Sequence, residues 1–176
     1  MLNLRRLTIS CVLLTALAAI GQSRDEAELL AIHQADRRAH FNHDVDALLV
    51  HTPTKVLDVR DGKVGVLSRE DVRARFVEYF RRANFTAWDD VQPPIVHVSS
   101  DGRTGWMIVR VHIAYTETDD SGKTNTHDET MAWMSAYEKQ HGKWMMTAVT
   151  STSDQHLSRS RDQSGKAWLT NYNPRR

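Results

Sequence analysis

Cysteine is nearly absent from the 176-residue sequence: the only one is Cys11. The chain therefore has no intrachain disulfide, and neither a paired redox thiol nor a cysteine metal cluster is available to it. Excess charge of either sign is also missing, since 23 Lys and Arg stand against 22 Asp and Glu. That balance argues against nucleic acid as a bulk partner, because a phosphate backbone calls for a cationic surface. There is no Gly-rich phosphate loop, no Gly-x-Ser-x-Gly elbow and no His-Glu-x-x-His pattern. Chemistry built on those motifs is excluded, and any reaction is expected to run without a cofactor and without a metal. No internal repeat is visible.

What is present starts with a segment distinct from the rest. Arg5 and Arg6 precede an uncharged apolar run from Leu7 to Ile20, and Ala19 and Gly21 follow with the spacing of a signal-peptidase site. This is the order of a secretory signal. The run of 14 residues is shorter than the roughly 20 that span a bilayer, which disfavours an uncleaved anchor. An ordinary buried helix is the third reading. Residues 1–21 are thus expected to be removed, and the protein to be secreted or periplasmic with no membrane contact after cleavage. The signal takes two basic residues and no acid with it, so the mature chain carries one net negative charge. With 40% hydrophobic and 26% charged residues, the remainder reads as one soluble globular domain over 22–153. Residues 154–176 turn polar and basic, with Trp168 and Tyr172 isolated among them, and read as a mobile tail.

Asp25 to Phe41 has helical spacing, broken at Asn42-His43-Asp44, and Asp44 caps a short second helix over Val45–Val50. Lys55–Val59 and Val64–Leu67 read as a hairpin about Asp61-Gly62. Ser68 and Asp71 have capping-box spacing before a third helix with Val72, Phe76, Tyr79 and Phe80 on one face. From Thr86 the period changes to two. Strands follow at Ile95–Val98, Thr104–Thr116, Thr126–Glu138 and Trp144–Thr152, with turns at Asp101-Gly102, Asp119–Gly122 and His141-Gly142. Helices followed by a meander predict an α+β fold, the helices on one face of a curved antiparallel sheet.

This order of elements resembles the nuclear transport factor 2 superfamily and, within it, the SnoaL-like proteins. The residues that carry the resemblance are Asn42-His43-Asp44-Val45-Asp46-Ala47-Leu48-Leu49 between the first two helices, Gly65-Val66-Leu67-Ser68-Arg69-Glu70-Asp71-Val72 before the third, and Tyr137-Glu138-Lys139-Gln140-His141-Gly142-Lys143-Trp144 in the last hairpin. The resemblance implies a cone-shaped domain whose sheet wraps round a pocket, often dimeric, with cyclases, isomerases and dehydratases among its members. Such proteins often carry a histidine in the final strand; Thr147-Ala148-Val149-Thr150-Ser151-Thr152 has none.

The turns also predict a register. A two-residue hairpin at His141-Gly142 sets Tyr137 opposite Met146 and Trp133 opposite Thr150. An even offset through the Ser121 loop sets Val111 opposite Met131 and Tyr115 opposite His127. One face then gathers Tyr115, His127, Glu129, Trp133, Trp144 and Thr150, and Arg110, His112 and Asp128 share the other. Tyr115, His127 and Glu129 form the candidate catalytic group, since a histidine beside a carboxylate and a phenol can pass a proton; the plainer reading is a solvated hairpin end. Arg110 is a candidate carboxylate holder, against cross-strand ion pairing on an outer surface. Trp133, Trp144, Tyr79, Thr150, Asp58 and His33 are candidate ligand contacts. The resemblance implies a base role for Asp58, since acids in this region serve as bases in some enzymes of the superfamily; the plainer readings are a surface acid for Asp58 and a structural histidine for His33. His40-x-x-His43 has metal-like spacing but lies where a helix ends. The expected partner is a small, partly apolar organic molecule, with cofactor-free acid/base chemistry. The alternative is a non-catalytic binding module, a homodimer forming through the same sheet.

Overall fold

The computed structural model describes residues 5–153, with side chains from Arg24 onward. The tail at 154–176 lies outside the described residues, as does the start of the expected signal. The elements run α1 (Arg5–Asn42), α2 (Val45–Leu49), β1 (Lys55–Arg60), β2 (Lys63–Ser68), α3 (Arg69–Arg82), β3 (Ala83–Asp90), β4 (Ile95–Val98), β5 (Thr104–Thr118), β6 (Thr124–Gln140) and β7 (Lys143–Ser153). Among the described residues no helix is long and apolar enough to cross a membrane.

Local chemistry sets the boundaries. Asp44 caps α2 by accepting from the Ala47 N–H at 3.0 Å. At the start of α3 the Ser68 hydroxyl oxygen accepts from the Asp71 N–H, and the Asp71 carboxylate accepts from the Ser68 N–H. Two amide donors that the helix leaves unpaired are thereby satisfied. The hairpins turn at Asp61-Gly62 (φ 51° and 74°) and His141-Gly142 (φ 51° and 77°), the paired left-handed conformation that suits the twist of flanking strands.

The seven strands form one sheet in the order β2-β1-β7-β6-β5-β3, with β4 also paired to β5. One junction departs from the antiparallel expectation: β1 runs parallel to β7, Asp58 beside Val149. The sheet is therefore mixed. This pairing joins segments about ninety residues apart and leaves no mark in local alternation. The strand β3 is longer than the change of period at Thr86 suggests. A bulge between Phe85 and Ala87 puts buried Phe85 and Trp88 three residues apart, so its inward set never shows a clean period of two.

The helices cover the concave face without filling it. Leu29 and Ile32 of α1 join Val98, Met107, Val109, Tyr137 and Trp144 in one buried cluster. Phe80, Ala83, Phe85, Trp88, Val111 and Ile113 form a second, and Leu49, Val56 and Val72 a third. Gly105 permits the first: a Cβ there would lie 2.9 Å from the His97 carbonyl oxygen and 3.1 Å from Leu29 Cδ1. At the opposite end Arg81 and Arg82 both reach Asp120 in the β5–β6 turn, at 2.6 and 3.1 Å, and clip that hairpin to the end of α3.

Candidate functional site

Between the three clusters lies a cavity of about 480 Å³, within the roughly 300–1,000 Å³ range of small-molecule pockets. Its walls are mostly apolar and aromatic, among them Val56, Phe76, Trp88, Met131, Trp133 and Met146. A few polar groups converge on it from three directions.

From α1 come Asp36 and His40, one helical turn apart. Asp36 is half-buried in the cavity wall, and burial raises its carboxyl to about 7. Burial also dominates at His40 and lowers it to about 4, against a smaller upward pull from its bond to the Asp36 carbonyl and a further lowering by His43. The His40 Nδ1–H donates to that carbonyl at 2.7 Å, which fixes the tautomer and leaves Nε2 unprotonated. The ring is held edge-on to Phe76, Phe80 and Phe85 and lies 3.9 Å, centroid to centroid, from Trp88. Both groups are thus pressed toward their neutral forms, one a proton donor and the other a proton acceptor near neutral pH.

From β1 and α3 come Asp58, Arg60 and Arg75. The Asp58 carboxylate is 13% exposed and lies 3.5 Å from Arg60 Nη2 and 3.4 Å from Arg75 Nη1. From α3 and the sheet come Tyr79, Tyr115, Glu129 and Ser135. The Tyr79 and Tyr115 rings meet edge to face at 5.8 Å. Burial and the neighbouring Tyr115, Glu129 and Glu117 push the Tyr79 phenol far above its ordinary value, and burial with Glu129 raises Tyr115 as well. Ser135 lines the cavity, and two residues on, burial raises the Tyr137 phenol, with a further rise from Asp36.

No family model matches the sequence, and no curated protein matches it. Solved structures do. A nuclear transport factor 2-like protein from Cytophaga hutchinsonii is 19% identical with a TM-score of 0.57, over 71% of this chain and 94% of that one. A ketosteroid isomerase-like protein from Erwinia carotovora atroseptica is 17% identical with a TM-score of 0.53, over 73% and 95%. A nuclear transport factor 2-like superfamily protein from Salmonella enterica Typhimurium is 12% identical with a TM-score of 0.59, over 74% and 91%. The fold is that of the nuclear transport factor 2-like proteins.

Within this nuclear transport factor 2-like cone the sequence-predicted residues divide. Tyr115, Glu129, Trp133, Tyr79 and Asp58 line the cavity. Tyr115 does oppose His127, and Val111 opposes Met131. His127, however, stands behind Tyr115, stacked on it at 4.4 Å with the rings 5° apart. Its acidic neighbour is Glu117, at 3.4 Å, not Glu129. His33 is 2% exposed and bonds to Asp90 at 2.7 Å, which ties α1 to the end of β3 outside the cavity lining. Trp144 is core: it is 2% exposed, with the Lys139 ammonium 4.7 Å from its ring centroid. Thr150 is exposed on the other face. The predicted Tyr137–Met146 pair is present, but a bulge at Thr147 moves every later residue of β7 by one. Thr150 therefore pairs with Met134, Ser151 replaces it opposite Trp133, and Val149 and Ser151 line the cavity instead. On the outer face His112 bonds to Asp128 at 2.9 Å. Among the described residues no three His, Cys, Asp or Glu side chains are grouped to hold a metal ion.

Asp36 and His40 are the residues that a motif reading passes over as a pair. The signal was in the helical period: Asp36 falls in line with buried Leu29, Ile32 and Ala39 of α1, at offsets of zero, three, seven and ten for Leu29, Ile32, Asp36 and Ala39. An acid on an apolar stripe is rare unless it has a use.

Proposed function

We propose that the protein takes a small, partly apolar organic molecule into the cone and moves a proton on it without a cofactor, as in an isomerisation or dehydration. The observation that carries this reading is the Asp36–His40 pair, one turn apart on a largely apolar cavity wall, with the His40 Nδ1–H spent on the Asp36 carbonyl and the Asp36 carboxyl raised by burial to about 7. Near pH 7 a ligand beside them meets a donor in the protonated fraction of Asp36 and an acceptor in His40 Nε2. Tyr115, packed edge to face on Tyr79, can hold an oxygen of the ligand from the opposite wall, with Glu129 also lining the cavity. The likeness to a ketosteroid isomerase-like structure supports the same class of chemistry, at the level of fold.

The test is proton exchange. 2-Tetralone, an enolisable ring ketone, is incubated in D₂O with the parent protein and with Asp36→Asn, and loss of its α-proton signal is followed by ¹H NMR. General acid–base catalysis contributes about 10²–10⁴-fold, so the parent should exceed the variant by about a hundredfold or more. Equal rates in parent and Asp36→Asn would remove Asp36 from the chemistry. We propose also that the chain is exported, on the strength of Arg5-Arg6 and the Leu7–Ile20 run. Mass spectrometry of protein from the native host should then find a chain that begins near Gln22, and a full-length cytoplasmic chain contradicts export.

A further inference from the structure

The mouth of the cavity has a feature that proton transfer does not use. Arg60, at the end of β1, and Arg75, on α3, belong to elements apart in sequence, yet both line the cavity and converge on Asp58. Two guanidiniums share one carboxylate. Their separations from it, 3.5 and 3.4 Å, exceed the roughly 2.7–2.9 Å of a closed charge-assisted bond. Surface pairs in the same molecule do close: Arg73–Asp46 is 2.5 Å and Arg81–Asp120 is 2.6 Å. Asp58 is 13% exposed, whereas Arg60 and Arg75 are 49% and 44% exposed. The carboxylate thus sits inside and the two more exposed guanidiniums lie at the rim. The remaining ionisable wall residue on the sheet, Glu129, makes no ion pair with either arginine among the described residues.

We propose that Arg60 and Arg75 anchor the carboxylate of an otherwise apolar, ring-bearing ligand, and that Asp58 holds the two guanidiniums apart and ready for it. The proposal rests on the reading of the cone as a ligand site and narrows it to organic acids. A planar carboxylate takes two parallel N–H donors from a guanidinium. Here a carboxylate, that of Asp58, already lies between the two forks, so their spacing suits a second planar anion better than a tetrahedral one. With its head at this rim, the ligand's apolar body extends toward Phe76, Met131 and Trp133, and its far end reaches the α1 wall with Asp36. The charge balance fits as well: the rim carries one net positive charge, which a monoanion neutralises.

The experiment compares 2-naphthoate with 2-naphthamide, a neutral probe of the same shape. Binding is read by quenching of tryptophan fluorescence, since Trp88 and Trp133 line the cavity, and checked by calorimetry. The parent should bind the acid about tenfold more tightly than the amide, or better, as an added charge-assisted pair implies. Arg60→Gln with Arg75→Gln should bring the two within about twofold, chiefly by weakening the acid. Equal binding of acid and amide by the parent, or a preference that survives loss of both arginines, overturns the anchor and leaves the cone as a site for neutral ligands. Tighter binding of 1-naphthyl phosphate than of 2-naphthoate overturns the carboxylate assignment. If neither the acid nor the amide binds, the ligand-site reading falls and the anchor with it.

Discussion

Replacing Asp36 by Asn should make the protein more stable, and by an amount that depends on pH. Burial raises the Asp36 carboxyl from 3.8 to about 7, so the folded chain keeps a proton that the unfolded chain has already lost. Between those two values, each unit of rising pH favours the unfolded state by about 1.4 kcal/mol through this one group. Below the unfolded value there is no cost; above about 7 the cost is complete, at about 4 kcal/mol. That is a large part of the 5–15 kcal/mol typical of a folded domain. Asn is nearly isosteric and does not titrate, so the difference between variant and parent should be close to zero near pH 4, about 2 kcal/mol near pH 5.5 and about 4 kcal/mol near pH 8. Urea unfolding at those three pH values measures it. His40 gives an internal control. Its value, lowered from 6.5 to about 4, means that the unfolded chain takes up a proton as pH falls through 6.5 while the folded chain refuses it. Stability through His40 is therefore lost as pH falls across that window, opposite in sign to the Asp36 effect. The two nearly cancel in the parent, whereas Asp36→Asn should expose the His40 slope of about 1.4 kcal/mol per pH unit. A variant whose advantage is the same at every pH refutes the argument, because Asp36 would then titrate alike in both states.

Four further outcomes are expected. Ser68→Ala removes half of a capping box and should cost about 1 kcal/mol in urea unfolding, with no effect on ligand binding. Gly105→Ala places a methyl group against the His97 carbonyl and Leu29 and should destabilise by about 1–3 kcal/mol, an overpacking cost. Val149→Trp should fill the cavity and abolish 2-naphthamide binding, whereas Thr150→Val, on the outer face, should leave it unchanged. His127→Ala should leave 2-naphthamide affinity within about twofold, since His127 stands behind Tyr115; a drop of tenfold would return it to the site.

The parts of the fold governed by local chemistry were legible from the residues. The Ser68–Asp71 box, the Asp44 cap and the turns at Asp61-Gly62 and His141-Gly142 each fix a conformation within a few residues, and all are present. The long β5–β6 pairing kept the parity of its turn, which brought Tyr115 opposite His127. What was lost depends on pairing between strands. A bulge inserts one residue without a compositional mark: Thr147 does this in β7 and turns Thr150 outward, and the bulge after Phe85 hides β3. The parallel β1–β7 junction is equally silent. Two of the three candidate catalytic residues, Tyr115 on β5 and Glu129 on β6, line the cavity, because alternation along each strand keeps its parity across the turn that joins them. His127 and Glu129 did not meet, since residues two apart on a twisted strand share a face but not a partner. Asp36 was legible in principle, as an acid on the apolar stripe of α1, but only to a reading that weighs exceptions to the helical period as heavily as motifs.

The account turns on one proton. Its most direct test is a ¹³C NMR titration of the Asp36 carboxyl carbon, assigned by comparison with Asp36→Asn, in the purified protein with and without bound 2-naphthamide. A midpoint near 7, held or raised when the neutral ligand displaces water from the cavity, is the result expected of a buried acid that serves as proton donor. A midpoint near 4, unmoved by the ligand, contradicts the account.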